Sequence, residues 1–235
     1  MVEFLVQKGR DSMKYVIADI HGDYEKYTKM LELIQFSEED ELYVLGDVLD
    51  RGKNGLKILQ DMMFRPNVIP ILGNHEYMAS VALPWLLKEV TEENVESFEN
   101  GEGEGLIDWI RVGGTATIEE FTKLSREEQL DVLDYLMEFS LYEIVEARGK
   151  EFVLVHAGLH NFSEEKDLDD YDLYELLFYK PDYDKVYFSD KYLVTGHTVR
   201  KEVLIKNNHI AIDCGCGYDG RLACVCLDTL QTFYV

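Results

Sequence analysis

The sequence predicts an α/β fold in which a second sheet packs on the first. Three observations predict it. Between residues 14 and 76, short β-type apolar runs alternate with helical periodicity; the C-terminal part reads as hairpins; and five polar blocks each follow an apolar run, at the strand ends where α/β folds gather reactive side chains. The blocks are Asp19-Ile20-His21-Gly22-Asp23, Gly46-Asp47-Val48-Leu49-Asp50-Arg51-Gly52, Gly73-Asn74-His75-Glu76, His156-Ala157-Gly158 and Gly196-His197-Thr198.

Taken in order, Tyr15-Val16-Ile17-Ala18 forms the first strand, which makes residues 1–12 an N-terminal extension outside the core pattern and Met13 a conceivable start. Tyr27, Met30, Leu31 and Ile34 then recur at helical spacing. The unit repeats: Leu42-Tyr43-Val44-Leu45 precedes the second block, Leu56, Ile58, Leu59 and Met62 mark the next helix, and Val68-Ile69-Pro70-Ile71-Leu72 leads into the third block. Such alternation implies parallel strands, whose C-termini bring the first three blocks to one edge.

Residues 76–141 turn helical, as a cap insert within a single domain over 13–235. Packing is the expected role of this cap, ahead of substrate selection. Within it, the acidic stretch from Thr91 to Gly105 reads as a surface connection, and Ser125-Arg126-Glu127-Glu128 as a capping box ahead of Leu130, Leu133 and Met137. Residues 142–147 and 151–155 make one hairpin and residues 203–206 and 209–212 another, with a helix over 168–178 and a strand over 191–195 between them. These antiparallel elements would form the second sheet and deliver His156 and His197.

At 235 residues and 46% hydrophobic, the chain can bury one core. A formal net charge of −23 argues against nucleic acid, whose binding draws on Lys and Arg to neutralise phosphates, and against an acidic membrane surface. No apolar stretch reaches the length of a membrane span, and the N-terminal run lacks the basic start of a secretory signal, so a cytoplasmic chain with reduced thiols is expected. The four cysteines fall in Cys214-Gly215-Cys216 and Cys224-Val225-Cys226; residues two apart share a strand face, and packing as small hydrophobes outweighs a zinc site.

Carboxylates, an amide and imidazoles are the ligands of a divalent metal pair. Asp19 and His21, two apart at a strand end, can take one ion; Asp47 on the neighbouring strand can bridge two; and Asn74, His156 and His197 can complete the coordination of the second ion. A metal pair lowers the pKa of a shared water and clamps both oxygens of an in-line displacement, so hydroxide attacks and no side chain need do so. His75 could protonate the leaving alkoxide, Asp50 could hold His75 charged and oriented, and Arg51 offers a bidentate grip on phosphoryl oxygens. Asn74 is counted with Arg51 as a substrate contact. Two cations would also supply the local positive charge that an acidic chain needs to receive an anionic ester.

Rival phosphate chemistries do not fit. Cys216 reaches Arg221 after four residues instead of the five of a cysteine phosphatase, and the glycines of Gly46 to Lys53 are spaced wrongly for a P-loop, with Asn54 where Ser or Thr is needed. His160 and His209 stand outside the blocks and read as structural.

The five ordered blocks, with the Ile212-Asp213-Cys214-Gly215 tail, resemble the calcineurin-like metallophosphoesterase superfamily, and specifically its phosphoprotein phosphatase branch in the bacterial and bacteriophage lambda style. The resemblance implies a two-sheet β-sandwich flanked by helices, holding two divalent ions, manganese first with iron or zinc as alternatives. It implies that Asp19, His21 and Asp47 bind one ion and Asp47, Asn74, His156 and His197 the other, with His75 and Asp50 as acid pair and Arg51 on the phosphate. Ala18 stands where the family often has Gly, and residues 157–199 contain no Arg where the family's protein phosphatases place a second one. Lys180, Arg111 and Arg200 are candidate substitutes.

The leading expectation is therefore a serine/threonine protein phosphatase acting on a phosphorylated protein or a small phosphoester. A dinucleoside polyphosphate hydrolase of the diadenosine tetraphosphate type is the alternative; Leu49-Asp50-Arg51-Gly52 and Gly73-Asn74-His75-Glu76 favour the phosphatase, since that other family tends to Val-Ala-Arg-Gly and Gly-Asn-His-Asp. A non-catalytic metal-binding module is third, and it would be expected to lack a ligand or the acid, none of which is missing.

Overall fold

Apolar runs, buried on both faces in the central strands, build two five-stranded sheets at the centre of the molecule, as a computed structural model describing residues 11–235 shows. In chain order the elements are β1 (Lys14–Ile17), α1 (Tyr24–Leu33), β2 (Glu41–Val44), α2 (Gly55–Met63), β3 (Val68–Pro70), α3 (Asn74–Leu86), α4 (Glu92–Ser97), α5 (Glu104–Trp109), α6 (Thr115–Phe121) and α7 (Arg126–Leu136). There follow β4 (Tyr142–Ala147), β5 (Lys150–Val155), α8 (Leu173–Leu177), β6 (Tyr192–Thr195), β7 (Leu204–Lys206), β8 (His209–Ala211), β9 (Ala223–Cys226) and β10 (Thr232–Tyr234). The expected extension over residues 1–12 lies outside the described residues except for Asp11 and Ser12.

The first sheet runs β10-β9-β1-β2-β3 and the second β4-β5-β6-β8-β7. Alternate residues of each strand face different layers. Val16, Leu45, Phe152, Leu154, Val194 and Ile210 fill the space between the sheets, while Ile17 and Val44 face the layer of α1 to α7, and Val153, Val155 and Leu193 face α8. Burial on both faces explains why these strands read as continuous apolar runs instead of alternating ones.

The parallel pairing expected for β1, β2 and β3 is present, and so is the second sheet. That second sheet is mixed and not antiparallel: β5, β6 and β8 are parallel neighbours, because long connections between them allow crossovers that a hairpin forbids. The first sheet is also larger than the βαβ pattern indicates. β9 pairs antiparallel with β1, setting Ile17 opposite Cys224 and Tyr15 opposite Cys226, so one cysteine pair is a strand face packed in the core.

Two further segments depart from expectation. The acidic stretch from Thr91 is helical: the Thr91 hydroxyl caps α4 by accepting the Asn94 N–H, and Gly101, at φ 107°, lets the chain turn into α5. Conversely, the helix expected over 168–178 is broken into a 3-10 turn at Leu168–Asp170 and α8, because Asp172 forms a capping box with Glu175 and starts the α-helix there. Among the described residues, no helix is long and apolar enough to cross a membrane.

His209 is fully buried on β8, stacked at 5.0 Å on Tyr183 and edge-on to Tyr187, with Nε2 2.9 Å from the Thr195 hydroxyl and no partner for Nδ1. Burial, with Arg200 nearby, holds its pKa down at about 4. Because the unfolded chain binds this proton more readily, the contribution is complete above the unfolded value near 6.5 and is lost as pH falls towards 4, by roughly 3 kcal/mol. Denaturant unfolding of the metal-free protein should show a shallower loss of stability between pH 7 and 4.5 in His209→Phe than in the parent; parallel curves would contradict this.

Candidate metal centre

The parallel pairing of β1 and β2 continues past both strand ends and lays the first two blocks side by side. Asp19, His21 and Gly22 donate backbone N–H bonds to the carbonyls of Gly46, Asp47 and Val48 at 3.0, 2.9 and 2.8 Å. The third block starts α3, with Gly73 at its N-cap and Asn74 and His75 in the first turn. A Cβ on Gly73 would lie 2.5 Å from an Asp47 carboxylate oxygen, so glycine is needed for the two loops to meet.

The second sheet reaches this edge through two bonds. His156 Nδ1–H donates to the Leu45 carbonyl at 2.6 Å, and the His197 N–H donates to the Asp19 carboxylate at 2.9 Å. Gly196 permits the latter approach, since a Cβ there would stand 2.3 Å from Asp19 Oδ2. Six residues of the blocks adopt left-handed backbone conformations without being glycine: Asp19, His21, Asp47, Asp50, Arg51 and His197, with φ between 48° and 70°. Each costs on the order of 1–2 kcal/mol, a strain that the surrounding structure has to hold.

Two groups of donor atoms result, each within 4.8 Å: His21, Asp47 and His75, and Asp47, His156 and His197. Asp47 belongs to both. Asp19 stands outside these groups with its oxygens on the His197 N–H, beside Asp47 and Asp213. Asn74 Oδ1 lies 2.9 Å from His156 Nε2. Because His156 donates through Nδ1, its Nε2 carries a lone pair, and so two acceptor atoms face each other with no proton to share. His21 is alike: Nδ1–H donates to the Leu49 carbonyl at 2.9 Å and Nε2 offers a lone pair to the cleft. Imidazoles anchored through Nδ1, with a lone pair on the other nitrogen and carboxylates around them, fit divalent cations.

The electrostatics agree. Burial and the charges of Asp213 and Asp47 push the Asp19 carboxyl well above its ordinary range, and Asp213 is raised to about 6 by burial despite the Gly215 N–H it accepts. Burial also acts on Asp47, yet the surrounding imidazoles, His156 first, outweigh it and hold this carboxyl low. Burial keeps His21 and His197 down at about 4 and lowers His156, leaving their lone pairs available. Arg51 already places positive charge in this hollow, with Nη1 2.5 Å from His21 Nε2 and Nη2 3.1 Å from His75 Nε2, under cover of the Tyr218 ring at 4.3 Å.

His75 is bonded through Nδ1 to Asp50 Oδ2 at 2.6 Å. Burial opposes its protonation, but Asp47 and Asp50 together raise its pKa. Asp50 is fully buried and takes two further bonds, from Trp109 Nε1–H to Oδ2 and from the Thr117 hydroxyl to Oδ1, both at 2.6 Å. Of the basic residues considered from sequence, Arg111 is paired with Asp108 and Arg200 covers the Tyr183 ring. Lys180 lines a cavity of about 270 Å³ with Leu159 and Tyr179, is followed by Pro181 packed on Gly158, and depresses the His197 pKa. Among the described residues, neither of the groups that could hold a cation includes a cysteine.

Several contributors escaped the sequence reading. Glu76 is fully buried and accepts the N–H groups of Asp47, Val48 and Leu49 at 2.6, 2.8 and 2.9 Å, which fixes the loop that carries Asp47. Its only sequence signal is an acid in the first turn of a helix, where the macrodipole favours one anyway. Asp213 lay in the tail already noticed. Trp109 and Thr117 are 59 and 67 residues from Asp50, and no local pattern links them.

Residues 15–228 match the sequence model of the calcineurin-like phosphoesterases. Over 231 residues, the chain is 27% identical to serine/threonine-protein phosphatase 2 of Escherichia coli, covering 89% of this chain and 90% of the relative. Over 101 residues it is 35% identical to the symmetrical bis(5'-nucleosyl)-tetraphosphatase of Wigglesworthia glossinidia brevipalpis, covering 41% of this chain and 37% of that relative's length. A solved structure provisionally assigned as a diadenosine tetraphosphatase has the same fold, with TM-score 0.64 and 18% identity over 97% of this chain and 94% of its own.

Burial and the charge of Asp47 raise the Glu76 carboxyl to about 7, against the backbone N–H groups it accepts and the nearby His75. Glu76→Gln would turn an amide N–H towards the Asp47 N–H and leave a buried donor unpaired, at a cost of about 1–3 kcal/mol. Denaturant unfolding should register that loss at pH 7; a variant as stable as the parent would show that the loop does not depend on these bonds.

Proposed function

The chain belongs to the calcineurin-like phosphoesterases and is a metal-dependent phosphoester hydrolase, and from this premise we propose that its substrates are phosphoserine and phosphothreonine in proteins. The observation that carries this reading is the extent of the likeness to the Escherichia coli protein phosphatase, which runs the length of both chains. The dinucleotide hydrolase remains a second reading, favoured by the higher identity over 101 residues.

In this reading His21, Asp47 and Asp19 hold one cation, and Asp47, Asn74, His156 and His197 the other, manganese being the first choice and iron or zinc the alternatives. Such ions supply the charge that draws a phosphoryl group into an acidic protein and the acidity that makes water a nucleophile at neutral pH. The rest is done by the chain. Arg51, with Asn74 beside it, holds phosphoryl oxygens through its forked N–H groups. His75 gives the proton on Nε2 to the departing oxygen, while Asp50 keeps the Nδ1–H side of the ring engaged and the imidazolium stabilised. Lys180 adds a second cationic contact from the cavity beside Gly158, in place of the arginine that residues 157–199 lack. Four cysteines held as buried thiols suit a reducing, cytoplasmic setting.

Manganese-loaded protein should hydrolyse a phosphoserine peptide with a higher kcat/KM than a phosphotyrosine peptide or diadenosine tetraphosphate. Preference for the dinucleotide would replace this reading with the second, and no turnover of any of the three would favour a binding module. Asp47→Asn should weaken occupancy of both cation positions together, as read by elemental analysis after dialysis; loss of one equivalent with full retention of the other would contradict the bridging role.

A further inference from the structure

We propose that the helical insert takes part in catalysis through Trp109 and Thr117, positioning residues that fix the Asp50 carboxylate and through it the ring of His75. This rests on the reading of His75 as the general acid.

The Asp50 carboxylate has three side-chain partners: His75 Nδ1 and Trp109 Nε1 on Oδ2 and the Thr117 hydroxyl on Oδ1, each at 2.6 Å. Asp50, Trp109 and Thr117 are fully buried and His75 is 2% exposed, so water does not compete for these bonds. With both oxygens engaged from the insert, the carboxylate cannot turn about its Cβ–Cγ bond. Thr117 does more, because its Oγ1 also accepts the Asp50 N–H at 3.0 Å and so ties down the backbone at φ 70°.

The turn between α5 and α6 explains how one segment reaches both sides of the acid pair. The chain kinks within Ile110–Gly114, with Gly113 at φ 121°. Gly114 packs flat on the indole, where a Cβ would come within 2.6 Å of the ring, and the Gly113 carbonyl accepts the Arg51 N–H at 3.2 Å. The insert therefore grips two consecutive residues, Asp50 and Arg51, that face the reacting group. A buried indole needs an acceptor somewhere, and packing alone would meet that need with any carbonyl. Here indole and hydroxyl both converge on the one carboxylate that orients His75.

Leaving-group dependence separates positioning from packing. A serine alkoxide departs only with a proton, whereas p-nitrophenolate needs little help, so a displaced acid penalises the first and a damaged fold penalises both. In the manganese-loaded enzyme, Trp109→Phe and Thr117→Val should lower kcat on a phosphoserine peptide by about tenfold to a hundredfold with KM little changed, and on p-nitrophenyl phosphate several-fold less. Thr117→Ser, which keeps the hydroxyl, should restore the rate, and metal content should match the parent. In the metal-free protein, the downfield imidazole N–H proton resonance of His75, identified by its loss in His75→Asn, should broaden in Trp109→Phe. If His75→Asn discriminates between the two substrates while Trp109→Phe and Thr117→Val slow both equally, the positioning role is overturned and the acid assignment stands. Should His75→Asn itself fail to discriminate, the acid assignment falls and the positioning role with it.

Discussion

Five carboxylates are buried together at one edge of the first sheet: Asp19, Asp47, Asp50, Glu76 and Asp213. Like charges in a dry space repel strongly, and each would be neutralised by protonation unless something nearby favours its ionised form. The architecture of this edge answers that constraint. Glu76 sits on three backbone N–H groups, Asp19 on the N–H of His197, Asp47 on the N–H of His75, Asp213 on that of Gly215, and Asp50 on an indole, a hydroxyl and an imidazole. What these donors leave unbalanced is centred on Asp19 and Asp47, where four imidazoles and Arg51 gather. Cation affinity is thus the remainder of a charge problem that the backbone solves only in part.

Solving it bends the chain. Backbone donors can aim at side chains of neighbouring loops only if those loops turn sharply, and six non-glycine positions of the blocks accordingly lie in left-handed conformations. The strain is held by strands and helices packed on both sides, which explains why the site occupies the ends of the most buried strands and why its loops are short. A looser scaffold would relax them and scatter the donors.

The fold was legible where hydrophobic periodicity and chemistry coincide. Tyr15 to Ala18 and Leu42 to Leu45 read as strands because both their faces are buried, and Val68 to Leu72 because its residues are apolar and bury at least in part; each is followed by residues that would be out of place in a core. Hairpin turns such as Asn207-Asn208, both in left-handed conformations, announce themselves. Other features had no local signature. The order of strands in the second sheet depends on which crossover packs best, and the strand face read at Cys224 and Cys226 carried no sign that it would pair with β1 across some two hundred residues. In the site, Asp47 and His156 stand out by residue type and setting, whereas Glu76 works through backbone groups and Trp109 through a contact across 59 residues. Neither relation leaves a mark on spacing.

One consequence concerns the order in which the chain becomes a protein. β1 lies between β2 and β9, so residues 15–17 are paired on one side with 42–44 and on the other with 224–226. Synthesis delivers the first three blocks early, yet the sheet that supports them stays open along β1 until residues 224–226 have emerged from the ribosome. Pairing over such a separation is slow, because the closure entropy comes before the contacts that reward it. A nascent chain would therefore carry its charged loops beside an unpaired, apolar strand edge until β9 is made, an interval in which chaperones or premature termination would decide its fate.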